Sequence, residues 1–479
     1  MSKNPGQVPC PLREVAISSP DAPAIVGAEE TLSYSELDRL VSAASRRLGE
    51  LGLGLGARVA IYLPKDERYV VLVLALIRAG AVACPLSTRL PPSSVEPLLR
   101  RAGCQALISD DEEALDAISG NIEKLHPEEV LMGEAVVEDH ARSRLRIDSP
   151  ATLVFTSGST GTPKAALHTF GNHYYSALGS NENIALGPGG RWLLSLPLYH
   201  VGGLSILFRC LLEGAAMVLP GPREKLGGSI ARYGITHVSL VSTQLRRLLS
   251  EGDAPESLEA VLLGASGIPA SLLEEATNRS LPIYTSYGLT EMASQVTTTS
   301  GASRDELETS GRALPYREVS ISDEGEILVR GETLFAGYVE GDEIERPLDE
   351  EGWFHTKDLG EIDAEGYLRV LGRRDNLFIS GGENIQPEEV EEALLRLENV
   401  VQAAVAPVPD SEFGSRPVAF VRTTGGYFDS ESLRASLEKV LPRFKVPVAF
   451  HEWPAEASTE SAKVDRALFG RLALENAKN

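Results

Sequence analysis

TSGSTGTPK, residues 156–164, packs two glycines, five hydroxyl side chains and one lysine into nine positions. A loop of this kind can wrap backbone N–H groups, hydroxyls and a positive charge around a polyphosphate. It is not a Walker A loop, which needs G-x-x-x-x-G-K-[S/T] opening a helix. Gly158 and Gly161 are too close for that, and Pro163 directly precedes Lys164. ATLVFT (151–156) before it and KAALHT (164–169) behind it both read as strands, so the loop joins two strands. By composition alone a Ser/Thr/Gly/Pro cluster is also an ordinary turn. The order of the residues is what argues for a nucleotide site.

The chain around this loop has 479 residues, too many for a single core, since cores stop growing at roughly 250–300 residues. Two or more domains are expected. VVLVLALI (70–77) is the most apolar run, is too short to span a bilayer, and reads as a buried helix. The N-terminal residues show no apolar signal segment. Cys10, Cys84, Cys104 and Cys210 have no C-x-x-C spacing, which suits a reduced cytoplasm and no zinc site. A net charge of −23 argues against nucleic acid and anionic membrane surfaces as partners. The acidic excess fits either a solubility feature or a salty or hot cytoplasm, and it is compatible with a homo-oligomer. No HExxH or G-x-S-x-G motif and no paired Cys/His cluster is present, so metallohydrolase and serine-hydrolase chemistries lack their parts.

Residues 1–372 alternate strand-like and helix-like segments. Ser35–Glu50 carries apolar residues at helical spacing behind a hydroxyl cap. GLGLG (52–56) precedes the strand ARVAIYL (57–63), the wrong order for a dinucleotide fingerprint, and reads as a helix-ending turn. VSLVSTQLRRLL (238–249) and LEAVLLGASG (258–267) continue the α/β pattern, whereas 129–150 reads as a polar surface connection. From Arg373 the texture changes. Pro387 fits the first turn of a helix, with Glu388 and Glu389 at its positive end. Strands at 400–408 and 416–423 and a helix near Ser430–Leu441 follow, making a small α+β unit.

Six further segments fall into place around the loop: PLYH (197–200), LLGASGIP (262–269), SYGLTE (286–291), HTKDLG (355–360), GRRDNLFISGGENIQPEEVE (372–391) and SAKVDRALF (461–469). In sequence and in order they resemble the motifs of the adenylate-forming superfamily, which holds acyl- and aryl-CoA ligases, peptide-synthetase adenylation domains and luciferases. The resemblance implies an α/β fold. A large N-terminal multi-subdomain domain (1–372) would bind AMP and the acid, and a small mobile α+β domain (373–479) would close over it.

It also implies roles. Thr156, Ser157, Gly158, Ser159, Thr160, Gly161 and Lys164 would cradle the ATP phosphates. Gly264, Ala265 and Ser266 would pass along the adenine, with Tyr287, Gly288 and Thr290 beside it. Glu291 would hold Mg²⁺, and Asp358, with Arg373 nearby, would take the ribose hydroxyls. Asp375 occupies the hinge position, and Gly381 and Gly382 would line the passage of the CoA pantetheine arm. His200 would border the acid pocket and the CoA route. Lys463 would supply the cation for adenylation, bridging the attacking carboxylate and the α-phosphate.

LPLYHVGGLSIL (196–207), SYGLTEMASQVTT (286–298) and FISGGENIQPEEVEEAL (378–394) most resemble the 2-succinylbenzoate–CoA ligases of menaquinone biosynthesis. A dicarboxylate activated on its succinyl arm is then the expected acid. Ser286, Ser294, Gln295 and Arg247 are candidates for its second carboxylate. No carrier-protein module follows the lysine motif, so a free-standing cytoplasmic ligase using ATP, Mg²⁺ and CoA is expected. Another aryl- or fatty-acid–CoA ligase and a retired nucleotide-binding module are the alternatives. The second is disfavoured by the presence of the phosphate loop, Glu291, Asp358 and Lys463.

Overall fold

The computed structural model describes residues 6–132, 144–156, 163–221, 224–252, 255–264, 268–301, 303–397, 399–410, 412–426, 429–457 and 464–476. The phosphate-loop residues Ser157–Thr162, with Ala265, Ser266 and Lys463, lie outside them.

An eight-stranded sheet carries the phosphate-loop hairpin. Its parallel strands Arg58–Tyr62, Val82–Pro85 and Ala106–Ser109 are buried runs, as a sheet covered by helices requires, and Glu123–Leu125 adds a partly exposed parallel edge. One of those helices, Glu67–Ala79, starts at an Asp66 cap and ends at a left-handed Gly80, and every residue from Tyr69 to Ala79 is buried. The VVLVLALI run is thus a core helix. Helix Tyr34–Glu50 begins at Ser33 rather than Ser35, because Ser33 and Glu36 close a reciprocal capping box. Part of the connection expected at 129–150 forms regular structure among the described residues. Arg144–Arg146 pairs antiparallel with Gln7–Pro9 near the N-terminus, an alignment no local pattern announces.

Next to the parallel strands, Pro150–Thr156 and Lys164–Thr169 pair antiparallel with Thr156 opposite Lys164, so the phosphate loop closes a hairpin. Gly337–Glu340 then pairs with Lys164–Thr169 and places Tyr338 opposite Ala166. Alternation puts Lys164 on the Ala166 face, alongside Tyr338.

A nine-stranded sheet holds the parallel strands Arg191–Leu193, His237–Leu240, Ala260–Leu263 and Ile283–Leu289. Ile283–Leu289 runs into a 3₁₀ turn at Thr290–Met292 and returns antiparallel as Ser294–Thr298. A four-stranded antiparallel sheet, Arg317–Ile321, Glu326–Gly331, Phe354–Ile362 and Leu368–Arg373, ends with Asp358 opposite Arg373.

After a 3₁₀ turn at Arg374–Asn376 the chain forms the small hairpin Phe378–Ser380/Glu383–Ile385 and helix Pro387–Leu395. The three-stranded sheet Val400–Asp410, Gly414–Thr423 and Ala449–Glu452 follows. Two apolar clusters, around Leu394 and Val421 and around Phe420 and Phe469, draw only on residues from Phe378 onward. A core separate from the rest is the physical mark of an independent unit.

Candidate active site

Glu291 sits in the turn between two antiparallel strands, and its backbone is pinned on both sides. Phe335 N–H donates to the Glu291 carbonyl at 2.8 Å. His168 Nε2 lies 2.7 Å from the Thr290 carbonyl, so that nitrogen carries the proton. His168 is wholly buried, and burial lowers its pKa to about 4, which keeps the ring neutral. The return strand comes so close that a side chain at Gly288 would strike the Ser294 carbonyl. Ala293 and Ser294 are held at φ +54° and +134°, a region costly for residues with a Cβ. Such strain survives only where the surroundings enforce it, and it clusters at working sites.

The Glu291 carboxylate meets the phosphate-loop hairpin through Tyr338. The Tyr338 phenol donates to Glu291 Oε1 at 2.6 Å, and the Lys164 ammonium stands 4.5 Å from the Tyr338 ring centre. Burial and the adjacent carboxylate raise the Tyr338 pKa, so the phenol stays a donor. Thr156 ends the strand opposite Lys164. Glu291 brings a hard oxygen ligand to this spot. Among the described residues no group of three or more His, Cys, Asp or Glu could cage a metal. That donor set fits Mg²⁺, which takes one or two carboxylates and shares itself with substrate phosphates.

Asp358 is 8% exposed and bound on both oxygens. The Tyr287 phenol donates to Oδ2 at 2.6 Å, and Arg373 Nη1 to Oδ1 at 3.0 Å. The Tyr287 hydroxyl is therefore committed to Asp358, and burial with that carboxylate holds it protonated. Gly264 follows strand Ala260–Leu263, where a Cβ would come 2.9 Å from Ser286 Oγ, and that hydroxyl in turn donates to the Leu263 carbonyl at 2.8 Å. Gly264 and Ser286 thus meet beyond the carboxyl end of a parallel strand, where open α/β sheets bind ligands.

His200 is exposed at the N-terminus of helix Val201–Glu213, edge-on to Tyr199 at 4.7 Å. Between its first residue and the terminal Glu213 that helix carries one charge, Arg209, which is 1% exposed. Arg209 Nη2 donates to Gln295 Oε1 at 2.6 Å and approaches Ser294 Oγ at 3.4 Å, with its guanidinium 5.0 Å from the Trp192 ring centre. No carboxylate pairs with it among the described residues. Burial lowers its pKa to about 10, which leaves it cationic at neutral pH. Of the candidates for a second carboxylate, Ser294 and Gln295 meet here. Ser286 lies one strand end away, against Leu263. Arg247 instead takes an exposed position on helix Ser242–Ser250. The cation beside Ser294 is Arg209.

Asp375 Oδ2 lies 3.7 Å from Lys357 Nζ and 3.4 Å from Arg373 Nη2, so this residue, expected at the hinge, faces the Asp358 strand. Gly381 has φ +59° and donates its N–H to the Phe413 carbonyl at 2.9 Å; a Cβ there would meet the Phe413 ring at 2.8 Å. Gly382 has φ +88° with open space around it.

The AMP-binding enzyme model matches residues 12–339, and the AMP-binding enzyme C-terminal domain matches 389–463. The chain belongs to the AMP-binding enzyme family. It is similar along almost its whole length to 2-succinylbenzoate–CoA ligase of Bacillus velezensis, with 37% identity over 95% of this chain and 96% of that protein. The o-succinylbenzoate CoA synthetase of Bacillus subtilis in complex with the acyl-adenylate intermediate OSB-AMP superimposes with a TM-score of 0.88. It shares 31% identity and covers 97% of this chain and 98% of that one. The same synthetase in complex with ATP and magnesium ion gives 0.86, at 32% identity over 96% and 99%. In this AMP-binding enzyme the expected mixed α/β architecture with a small C-terminal unit is present. Sequence reasoning missed Tyr338, Arg209 and His168. A lone arginine in an apolar helix was the available signal for Arg209; the other two are signalled only by register and burial.

Proposed function

We propose that the enzyme joins 2-succinylbenzoate to CoA through an acyl-adenylate, consuming ATP and releasing AMP and pyrophosphate. A carboxylate oxygen attacks the α-phosphorus, and the bond to the β-phosphate bridge oxygen breaks. The CoA thiol, losing its proton, then attacks the acyl carbon, and the bond to AMP breaks. Mg²⁺, when bound, neutralises phosphate charge. Glu291 would hold it, and Tyr338 aims that carboxylate. Lys164 places a cation at the hairpin that carries the phosphate loop. Asp358, oriented by Tyr287 and Arg373, accepts the ribose hydroxyls. Lys463 stabilises the charge of the adenylation step. Arg209, with Ser294 and Gln295, receives the ring carboxylate of the dicarboxylate.

The observation that carries the choice of acid is Arg209, a buried guanidinium with no acidic partner among the described residues, beside Ser294. A buried charge is costly unless paired, so a dicarboxylate supplies what the free site lacks. A ligase for a fatty acid or simple benzoate has no use for that cation. ATP–pyrophosphate exchange with a panel of acids tests the reading: 2-succinylbenzoate should support exchange far better than benzoate or fatty acids. The reverse ranking would refute the substrate. Partners are the acid, ATP and CoA. Among the described residues no helix is long and apolar enough to cross a membrane.

A further inference from the structure

Lys357, directly before Asp358, sits in the left-handed region at φ +63°. A lysine has no intrinsic reason to be there. Its backbone N–H donates to Glu326 Oε1 at 2.7 Å, and Glu326 is 4% exposed on strand Glu326–Gly331. The pairing of this strand with Phe354–Ile362 is irregular between Glu326 and Leu328. Thr356 anchors the other flank: its Oγ1 donates to the Ile327 carbonyl at 2.7 Å and receives the Asp358 N–H at 3.0 Å. The second Glu326 oxygen faces Arg374 Nη1 at 3.2 Å and His355 Nδ1 at 3.4 Å, and Arg374 adjoins the hinge residue Asp375.

We propose that Glu326 is a positioning residue: by accepting the Lys357 N–H it enforces the left-handed backbone that turns the Asp358 carboxylate onto Tyr287 and Arg373, and by holding Arg374 it ties this turn to the hinge. The inference rests on Asp358 as the ribose-binding residue. Glu326 touches no substrate and acts through the shape of the 356–358 turn. Conformations of this kind persist only when neighbouring groups over-determine them. Glycine alone adopts such a φ without help.

The test is the KM for ATP in pyrophosphate exchange. Glu326→Ala should raise it about tenfold, equivalent to about 1.4 kcal/mol, with kcat changed much less. Glu326→Gln keeps an acceptor oxygen for the Lys357 N–H and should stay within about twofold of the parent. Adding Lys357→Gly to Glu326→Ala should restore most of the lost affinity, a rescue that a general loss of stability would not show. Lys357→Gly also removes the 3.7 Å pair to Asp375, but both side chains are solvent-accessible (55% and 31%), and such pairs contribute little. Should Glu326→Ala not fold, the exposed position still answers: Lys357→Val, β-branched and averse to positive φ, should raise KM, and Lys357→Gly alone should not. An unchanged KM in both Glu326→Ala and Lys357→Val, or no rescue by Lys357→Gly, overturns the proposal. Asp358→Ala separates the two levels. If it leaves the ATP KM unchanged, the ribose role of Asp358 fails; if it raises KM and the Glu326 variants do not, only the positioning role fails.

Discussion

The Tyr338 phenol donates a 2.6 Å hydrogen bond to the Glu291 carboxylate while its ring lies beneath the Lys164 ammonium at 4.5 Å. One side chain on a strand held between Glu343–Glu345 and Lys164–Thr169 thus spans the proposed metal ligand and the phosphate-loop hairpin. Tyr338→Phe keeps the ring and removes the donor. Adenylation should fall about tenfold, as for one hydrogen bond to a charged group, and half-saturation should need more Mg²⁺. Pyrophosphate exchange across a Mg²⁺ titration checks this. An unchanged titration would show that Glu291 needs no help from Tyr338.

Arg209→Met should act on the choice of acid. With 2-succinylbenzoate, kcat/KM should drop about 10²-fold or more, roughly 3 kcal/mol, because the ring carboxylate is left buried without a counter-charge. The analogue lacking that carboxylate, 4-oxo-4-phenylbutanoate, should lose little or gain. Equal losses for both acids would place the second carboxylate elsewhere.

Lys463→Ala should cost adenylation roughly 10²–10³-fold, the scale of removing one preorganised donor. Thioester formation from supplied acyl-adenylate should survive. Single-turnover measurements of each half-reaction decide, and parallel losses in both would mean that the lysine serves the fold.

His168 makes stability depend on pH. Its pKa is about 4 in the folded state against 6.5 for the free side chain. As pH falls the unfolded chain takes up this proton first. The contribution is therefore complete above pH 6.5 and is lost between there and pH 4, on the order of 3 kcal/mol in all. His173, which packs against His168 at 5.1 Å and is also held neutral by burial, acts in the same direction. Thermal unfolding of the parent should drop steeply from pH 7 to pH 5. His168→Gln should drop less; an identical slope would show that the buried ring does not set it.

The sequence by itself determined the nucleotide chemistry and the two-part α/β organisation, because both are written in short contiguous stretches. Residues 156–164 need their glycines, hydroxyls and lysine side by side, and Glu291 and Asp358 each sit in a motif of a few residues. Helix Glu67–Ala79 and the Pro387 helix start were likewise legible, since caps and apolar runs act locally. Only the tertiary structure decided which side chains aim these groups. Tyr338 reaches Glu291 because strand Gly337–Glu340 pairs with Lys164–Thr169 from far along the chain, and Arg209 reaches Gln295 from 86 residues away. Arg247 and Arg209 are both arginines on helices that carry apolar residues. Nothing in composition says that one faces solvent and the other Ser294. That choice belongs to packing, which pays the cost of burying a charge only where a neighbour, or a substrate, can answer it.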